Sequence, residues 1–235
     1  MLYVISFASQ SSNAGNRKFF ERDTLIVAKE LLGKYLIREL KESRKKKRVL
    51  IGRIVETEAY IGEGDLACHA SKGRTSRTQI MYGEAGHAYI YMIYGMYHCL
   101  NIVTEKVGFP AAVLIRAVEP IVSSAVVSST VAQKDFGKIA SGPGKLCRWM
   151  EITRDLNGTD VTKSEELFIT EELSKNVILA SEARPESFDY GQAGMTVKEK
   201  FEIVKAKRIG VDYAKHCADH LWRFYIKDNE FVSKK

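Results

Sequence analysis

Two strand-like runs separated by only three residues constrain the fold of this chain more than any other feature. Residues 87–93 and 97–104 are rich in Ile, Tyr, Val and Leu, and Tyr94-Gly95-Met96 stands between them. So short a connection joins antiparallel strands, because parallel strands need a crossover of a dozen or more residues. Gly95 can supply the unusual φ that a tight hairpin requires.

Further runs of similar composition extend the strand pattern along the chain. They lie at residues 34–40, 49–59, 111–118, 167–170, 177–180, 208–211 and 222–226. Together with the helical segments below, they predict an α+β fold with a curved, largely antiparallel sheet and a protruding hairpin.

Three segments have helical features. Residues 24–32 carry apolar side chains at helical spacing, with Asp23 as a plausible N-cap and Gly33 as the stop. Residues 141–151 open with Ser-Gly-Pro-Gly-Lys, and the first helical turn tolerates Pro143. Residues 122–132 favour a helix only weakly, because they are rich in β-branched side chains. The sequence has no internal repeat or long linker, so we expect residues 1–235 to form one domain. Within it, residues 1–18 are expected to be a loosely ordered leader.

The net charge of +7 favours an anionic partner, nucleic acid first. Six basic residues and one acid at 41–48 contribute +5 of that charge. Mutual repulsion there predicts a solvated hairpin loop, and a phosphate-contacting arm is the alternative interpretation. Residues 61–120 hold five basic and five acidic residues, so that region is neutral.

The four cysteines and five histidines match no metal-binding pattern. The cysteines lie far apart without a Cys-x-x-Cys pair, which favours reduced thiols, and we expect neither a metal nor a cofactor. No stretch approaches the roughly 18–20 apolar residues that span a bilayer. The N-terminal apolar run is a poor signal peptide. We therefore expect a soluble intracellular protein, in the cytoplasm, nucleoid or nucleus.

Paired acids stand in the strand predicted at 49–59. Glu56, Glu58 and Tyr60 alternate and so share one face, while the small residues between them point to the core. Like charges about 7 Å apart tend to raise one pKa. A partly desolvated carboxylate beside a tyrosine is suited to general-base work on water. The alternative is an exposed face whose acids pair with surface Lys or Arg.

Tyrosine is concentrated around the predicted hairpin. Five tyrosines fall within sixteen residues: Tyr82, Tyr89, Tyr91, Tyr94 and Tyr97. Core packing explains most such stripes. Tyr94, however, falls at the hairpin tip, where a ring has little core to join and is able to wedge into a base stack.

Several blocks occur in an order typical of one enzyme family. They are ETEAYIGEGDLACHA, GHAYIYMIYGMYHCLNIV, VLIRAVEP, SGPGKL, RIGV and WRFYI. From about residue 24 to residue 226 the chain resembles the alkyladenine (3-methyladenine) DNA glycosylases. The resemblance implies a monomer that flips alkylated or deaminated purines out of double-stranded DNA and hydrolyses the N-glycosidic bond. The implied lesions are 3-methyladenine and, in some members, 7-methylguanine, hypoxanthine and ethenoadenine.

The resemblance also implies roles for individual residues. Glu58, rather than Glu56, is the general base for water, and Arg116 helps to hold that water and the DNA backbone. Tyr94 fills the place that the flipped nucleotide vacates. The implied base pocket consists of Tyr60, His69, Tyr91 and Asn101, and Asn101 excludes the exocyclic amino group of guanine. Possible backbone contacts are Arg74, Arg77 and Lys145.

Two other functions remain open at this point. A non-catalytic damaged-DNA binding module would need Tyr94 but not Glu58. A hydrolase of free nucleosides or small glycosides could use paired acids, although it would have no use for a projecting tyrosine. No lysine lies in the matched pocket blocks, which favours a monofunctional glycosylase over Schiff-base chemistry.

Overall fold

One sheet contains all eight strands that the computed structural model shows in the described residues, 16–43, 46–121, 138–173 and 200–235. Six strands follow the order β3-β4-β5-β2-β1-β6, while β8 pairs with β2 and β7 with β8. All described strand pairs are antiparallel, which confirms the predicted α+β class. The strands are β1 (Tyr35–Ser43), β2 (Lys46–Ile61), β3 (Ala88–Ile93), β4 (Tyr97–Val103), β5 (Ala111–Ile121), β6 (Leu167–Thr170), β7 (Ile203–Ala206) and β8 (Arg223–Ile226).

Short helices accompany the sheet. As predicted, Asp23 caps the second α-helix by accepting from the N–H of Ile26 at 3.0 Å, and Gly33 follows with a φ of +83°. Pro143 is the first residue of the third α-helix. A backbone N–H at this position has no partner within the helix, so the missing N–H of proline costs no hydrogen bond. The described α-helices are α1 (Arg17–Phe20), α2 (Thr24–Glu30) and α3 (Pro143–Trp149). The 3₁₀ helices are His69–Lys72, Gln79–Tyr82, Arg154–Leu156 and Asp212–Asp219.

The middle of β2 has strands on both edges. Residues 56–58 pair with β8 on one edge and with β5 on the other. Two register shifts interrupt the β2–β5 ladder and leave Val55 and Arg116 without a partner in it. Such bulges bend a strand and re-aim its side chains, often beside a functional site. Here the bulge accompanies the turn of Arg116 toward Glu56 and Glu58, which lie 3.3 and 3.4 Å from its nitrogens.

The two faces of β2 have different neighbours. The hydroxyl of Thr57 donates to the carbonyl of Ala28 in α2 at 2.8 Å, and Val55 and Ala59 are fully buried in the main core. Burial of a large apolar side chain in such a core contributes about 1.5–3 kcal/mol. The small residues between the acids therefore face the core, as predicted, and the acids point the other way.

The hairpin predicted at 41–48 is confirmed and residues 41–43 and 47 are exposed, but the segment is mostly strand and not loop. β1 and β2 extend into this segment and pair there, and only residues 44–45 between them lie outside the described part. Acidic neighbours offset the expected repulsion: Lys47 lies 2.5 Å from Glu39, and Arg48 pairs with both Glu42 and Glu151. Charges paired across strands stabilise a sheet instead of opposing it.

Two other predictions need correction. Residues 208–211 form a bend at Gly210, whose φ is +74°, and the strand lies earlier, at β7. The predicted leader at 1–18 reaches too far, because Arg17 already belongs to α1 and contacts Asp160 at 2.6 Å. The remainder of that leader up to residue 15, the helix at 122–132 and the strand at 177–180 lie outside the described residues.

Cys68, Cys99, Cys147 and Cys217 are all buried and free.

In the described ranges, no helix has both the length and the apolar character needed to span a bilayer.

Candidate active site

Glu58 is the carboxylate around which the candidate site is described, and it is fully buried. Its Oε1 accepts from the backbone N–H of Ile209 at 2.8 Å, and its Oε2 accepts from the hydroxyl of Tyr60 at 2.9 Å. Arg116 approaches the same Oε2 with Nη1 at 3.4 Å. A carboxylate offers about four acceptor positions, so these three contacts leave one of them unused.

Burial raises the pKa of Glu58, because the charged carboxylate loses its solvation. Arg116, the Ile209 N–H and the Tyr60 hydroxyl oppose this shift, and the charge of Glu56 adds the smallest contribution. The alternation of Glu56 and Glu58 predicted that repulsion between the two acids would raise one pKa. Burial, however, is the main cause of the raised pKa of Glu58. The alternative of an exposed acidic face is wrong, since Glu56 and Glu58 are both fully buried.

The raised pKa of Glu58 predicts how stability changes with pH. Below its ordinary value of 4.5, the carboxyl is protonated in both the folded and the unfolded state. As the pH rises, the unfolded state ionises first, so this group's contribution to the free energy of unfolding falls until the folded pKa is passed. Glu58→Gln removes that loss. In urea titrations we expect the stability of the variant relative to wild type to increase with pH from about 4.5 upward, and a pH-independent difference would contradict the shift.

An aromatic pocket opens beside Glu58. All four predicted pocket residues line it, which brings distant sequence blocks together. The lining residues are Tyr60, Ala67, His69, Met81, Tyr89, Tyr91, Asn101, Ala112 and Tyr213.

The rings of the pocket contact one another at defined angles. His69 lies 4.5 Å from Tyr91 between ring centroids, with an interplanar angle of 74°, and its Nδ1 is 2.8 Å from the Tyr89 hydroxyl. Asn101 donates from Nδ2 to the backbone carbonyl of Tyr89 at 3.1 Å. These two hydrogen bonds tie His69 and Asn101 to Tyr89, so three walls of the pocket are held in place before any ligand enters.

His69 is a neutral ring in this pocket. Burial, with smaller contributions from the cations Arg77 and Lys72, lowers its pKa to about 4. In NMR titrations we expect the His69 ring signals to stay constant from pH 8 to pH 5.5 and to titrate near 4. A titration of His69 near its ordinary value of 6.5 would show that the ring is solvated.

A buried ion pair supports the Tyr60 wall from behind. The Arg208 guanidinium lies between the Tyr60 and Trp222 rings, 4.8 and 5.0 Å from their centroids. It donates to both carboxylate oxygens of Asp65, at 2.5 and 2.8 Å. A bidentate pair of this kind fixes orientation as well as charge, so Tyr60 has little freedom to move.

Tyr94 projects from the hairpin tip with 90% of its surface exposed. Its φ is +51° and that of Gly95 is +69°, and the Met96 N–H closes the turn on the Ile93 carbonyl at 3.2 Å. The predicted role of Gly95 in the turn is confirmed. Tyr94 was not expected in this left-handed region, which costs a non-glycine residue about 1–2 kcal/mol. Strain of this kind is often found at functional positions.

The three predicted cationic contacts are exposed, but they differ in position. Arg77 lies over the Tyr91 ring at 5.1 Å, so it belongs to the pocket rim. Arg74 lies over the Tyr82 ring at 5.6 Å, and Lys145 extends from α3. These positions are compatible with backbone contacts, which stay a prediction.

Several residues of the site were not singled out from the sequence. They contribute backbone groups or long-range pairs, and the RIGV and WRFYI blocks were the only signals for some of them. They are Asp65, Arg208, Ile209, Tyr213, Arg223 and Ser233.

The sheet, the buried acid and the aromatic pocket occur together in a chain that matches a DNA glycosylase family. The family model described as methylpurine-DNA glycosylase matches residues 18–230, and the chain belongs to that family, as the sequence blocks predicted. A protein of Methanocella arvoryzae named "putative 3-methyladenine DNA glycosylase" is 50% identical over 220 residues, covering 93% of this chain and 95% of the relative. Proteins of the same name from Legionella pneumophila strain Lens and Clostridium perfringens are 47% and 43% identical, each covering 93% of this chain and 97% and 98% of the relative.

Proposed function

We propose that this protein excises damaged purines from double-stranded DNA by hydrolysing the N-glycosidic bond, with 3-methyladenine as its principal substrate. The observation that carries the proposal is Glu58, a buried carboxylate with a raised pKa that accepts a hydrogen bond from Tyr60 in the wall of an aromatic pocket. The names of the relatives support 3-methyladenine as the lesion. The whole chain acts as one glycosylase domain in this proposal.

The pocket recognises an electron-poor base by stacking. Tyr60, His69 and Tyr91 present ring faces and edges around one space. A cationic alkylated purine gains about 1–2 kcal/mol from a desolvated aromatic ring. That margin is modest, so weakened stacking of the damaged base and its weaker glycosidic bond add to the selectivity. Buried Asn101 narrows the pocket on the side where guanine would place its amino group.

The flipped base leaves a gap in the duplex, and Tyr94 is placed to fill it. A glycosidic bond inside a stacked helix is inaccessible, so the nucleotide must rotate out at a cost of a few kcal/mol. A ring that projects from a rigid hairpin offers a replacement stacking surface.

Glu58 activates the water that attacks the sugar. The carboxylate accepts a proton from water as the oxygen bonds to C1′, and the electrons of the C1′–N bond leave with the purine. For a cationic purine the leaving base becomes neutral and needs no proton. The Arg116 guanidinium lies beside Glu58, where it keeps the carboxylate ionised and can hold the water or a nearby phosphate.

Release of free base tests this proposal directly. A duplex that contains 3-methyladenine is incubated with the protein at low salt, and the released base is measured by chromatography. The expected product is free 3-methyladenine with an intact abasic strand. No release, or strand cleavage without alkali, would overturn the proposal.

A further inference from the structure

Glu56, the acid that the proposed chemistry does not use, lies at the centre of a buried ionic network. Its Oε1 is 2.8 Å from Nη1 of Arg223 and 3.3 Å from Nε of Arg116. Its Oε2 accepts from the backbone N–H of Ser233 at 2.8 Å. Both oxygens of Glu56 therefore contact protein groups, and none of these partners lines the aromatic pocket.

Residues 232–234 are fixed against this network. The Arg116 Nε donates to the Ser233 hydroxyl at 3.1 Å, and the Arg223 Nη1 donates to the carbonyl of Lys234 at 2.7 Å. The side chain of Val232 is buried in the main core. The segment is thus bound by two arginines and anchored by an apolar residue.

The guanidinium of Arg116 makes its contacts through two different nitrogens, Nε and Nη1. Its Nε contacts Ser233 and Glu56, whereas Nη1 reaches Glu58 at 3.4 Å, the longest of these distances. An arginine side chain has several rotatable bonds, so one long contact at its tip does not define its direction. The two contacts at Nε therefore determine where Nη1 points.

We infer that Ser233 and Glu56 are positioning residues for base excision, because they hold the Arg116 guanidinium so that Nη1 faces Glu58. This inference deepens the proposed function and rests on it. Neither residue touches the reacting atoms, and both act through Arg116.

The groups around Glu58 give this inference a measurable consequence. The positive charge of Arg116 does more than any other group to lower the pKa of Glu58 against the effect of burial. When Arg116 swings away, the Glu58 pKa rises, and the acid limb of the excision rate moves to higher pH. The titratable and charged groups that surround Glu58 are Arg116, Arg208, Glu56, Tyr60, Tyr91 and Cys99.

Ser233→Ala tests the inference in the full chain. We expect single-turnover excision at neutral pH to fall roughly three- to tenfold, since one hydrogen bond is lost and Glu56 remains. The loss shrinks at higher pH. In ¹³C-glutamate NMR titrations, with the Glu58 signal assigned through Glu58→Gln, the ionisation constant changes at least about threefold toward a higher pKa. Ser233→Thr, which keeps a hydroxyl, returns both values toward wild type.

Ser164→Ala is the matched control, because that hydroxyl accepts from the N–H groups of Glu166 and Leu167 away from the site. It is expected to leave the Glu58 titration unchanged. An unchanged Glu58 pKa in Ser233→Ala overturns the inference, and so does an equal shift in Ser164→Ala. The titration needs no DNA, so it decides the role of Ser233 even if wild type released no base, an outcome that refutes the proposed function instead.

Discussion

Replacing Glu58 by glutamine is expected to reduce single-turnover release of 3-methyladenine by about 10²- to 10⁴-fold, the usual contribution of a general base. Glutamine keeps the size and can still accept from the Ile209 N–H, which lies 2.8 Å from Oε1. It cannot take a proton from water. Affinity for the lesion duplex, measured by fluorescence anisotropy, should stay within about threefold of wild type, since the variant removes an interaction made in the transition state.

The pH dependence makes this prediction more specific. Because burial raises the pKa of Glu58, the wild-type excision rate increases as the pH rises through that pKa, where the base becomes ionised. The residual excision rate of Glu58→Gln should not show this increase with pH.

Glu119→Gln is a suitable control, because it removes one carboxylate from β5 that pairs with Arg53 and Asn229 rather than with the site. It should release base at the wild-type rate. A Glu58→Gln rate within tenfold of wild type would exclude Glu58 as the base. Wild-type binding combined with no release by either protein would favour a binding module.

The fold could be predicted where the deciding interactions are local. A three-residue connection required an antiparallel hairpin, and the alternation around Glu56 and Glu58 placed the small side chains toward α2. Asp23 and Pro143 marked helix starts because capping depends only on neighbouring residues.

Charge was the poorest guide, because its effect depends on partners distant in sequence. The basic run at 41–48 contributes most of the net charge, yet its residues belong to a paired hairpin and Arg48 also pairs with Glu151, far along the chain. Periodicity could not show a pair between residues so far apart. The same limit applies to Arg208, assigned to a strand, whose partner Asp65 is 143 positions away.

In the candidate site, too, local patterns predicted the positions of residues, whereas contacts between residues distant in sequence could not be predicted. Alternation placed Glu56 and Glu58 on one face but could not separate their roles, and the family resemblance alone favoured Glu58. The structure supplies a physical difference. Glu58 accepts a hydrogen bond from Tyr60, which lines the aromatic pocket, whereas the partners of Glu56 are Arg116, Arg223 and Ser233, none of which lines it. That difference arises from Arg223 and Ser233, which no local pattern connects to β2.

Removing the Tyr94 ring is expected to lower kcat/KM for a paired lesion by about 10- to 100-fold, because stacking on an aromatic side chain contributes about 1–3 kcal/mol per base. The ring is 90% exposed and has no core to stabilise. Tyr94→Ala should therefore fold as wild type does. Alanine also keeps a Cβ in the left-handed conformation at φ +51°, so the turn geometry is changed less than it would be by glycine.

A bulged lesion separates base flipping from chemistry in this variant. An unpaired, poorly stacked base needs little energy to leave the helix, so Tyr94→Ala should excise it nearly as fast as wild type. Tyr94→Phe retains the stacking ring and should restore excision of the paired lesion. Met92→Ala alters an exposed side chain of the same hairpin and should have little effect. Equal losses on the bulged and the paired lesion would mean that Tyr94 acts in the pocket and not in the helix.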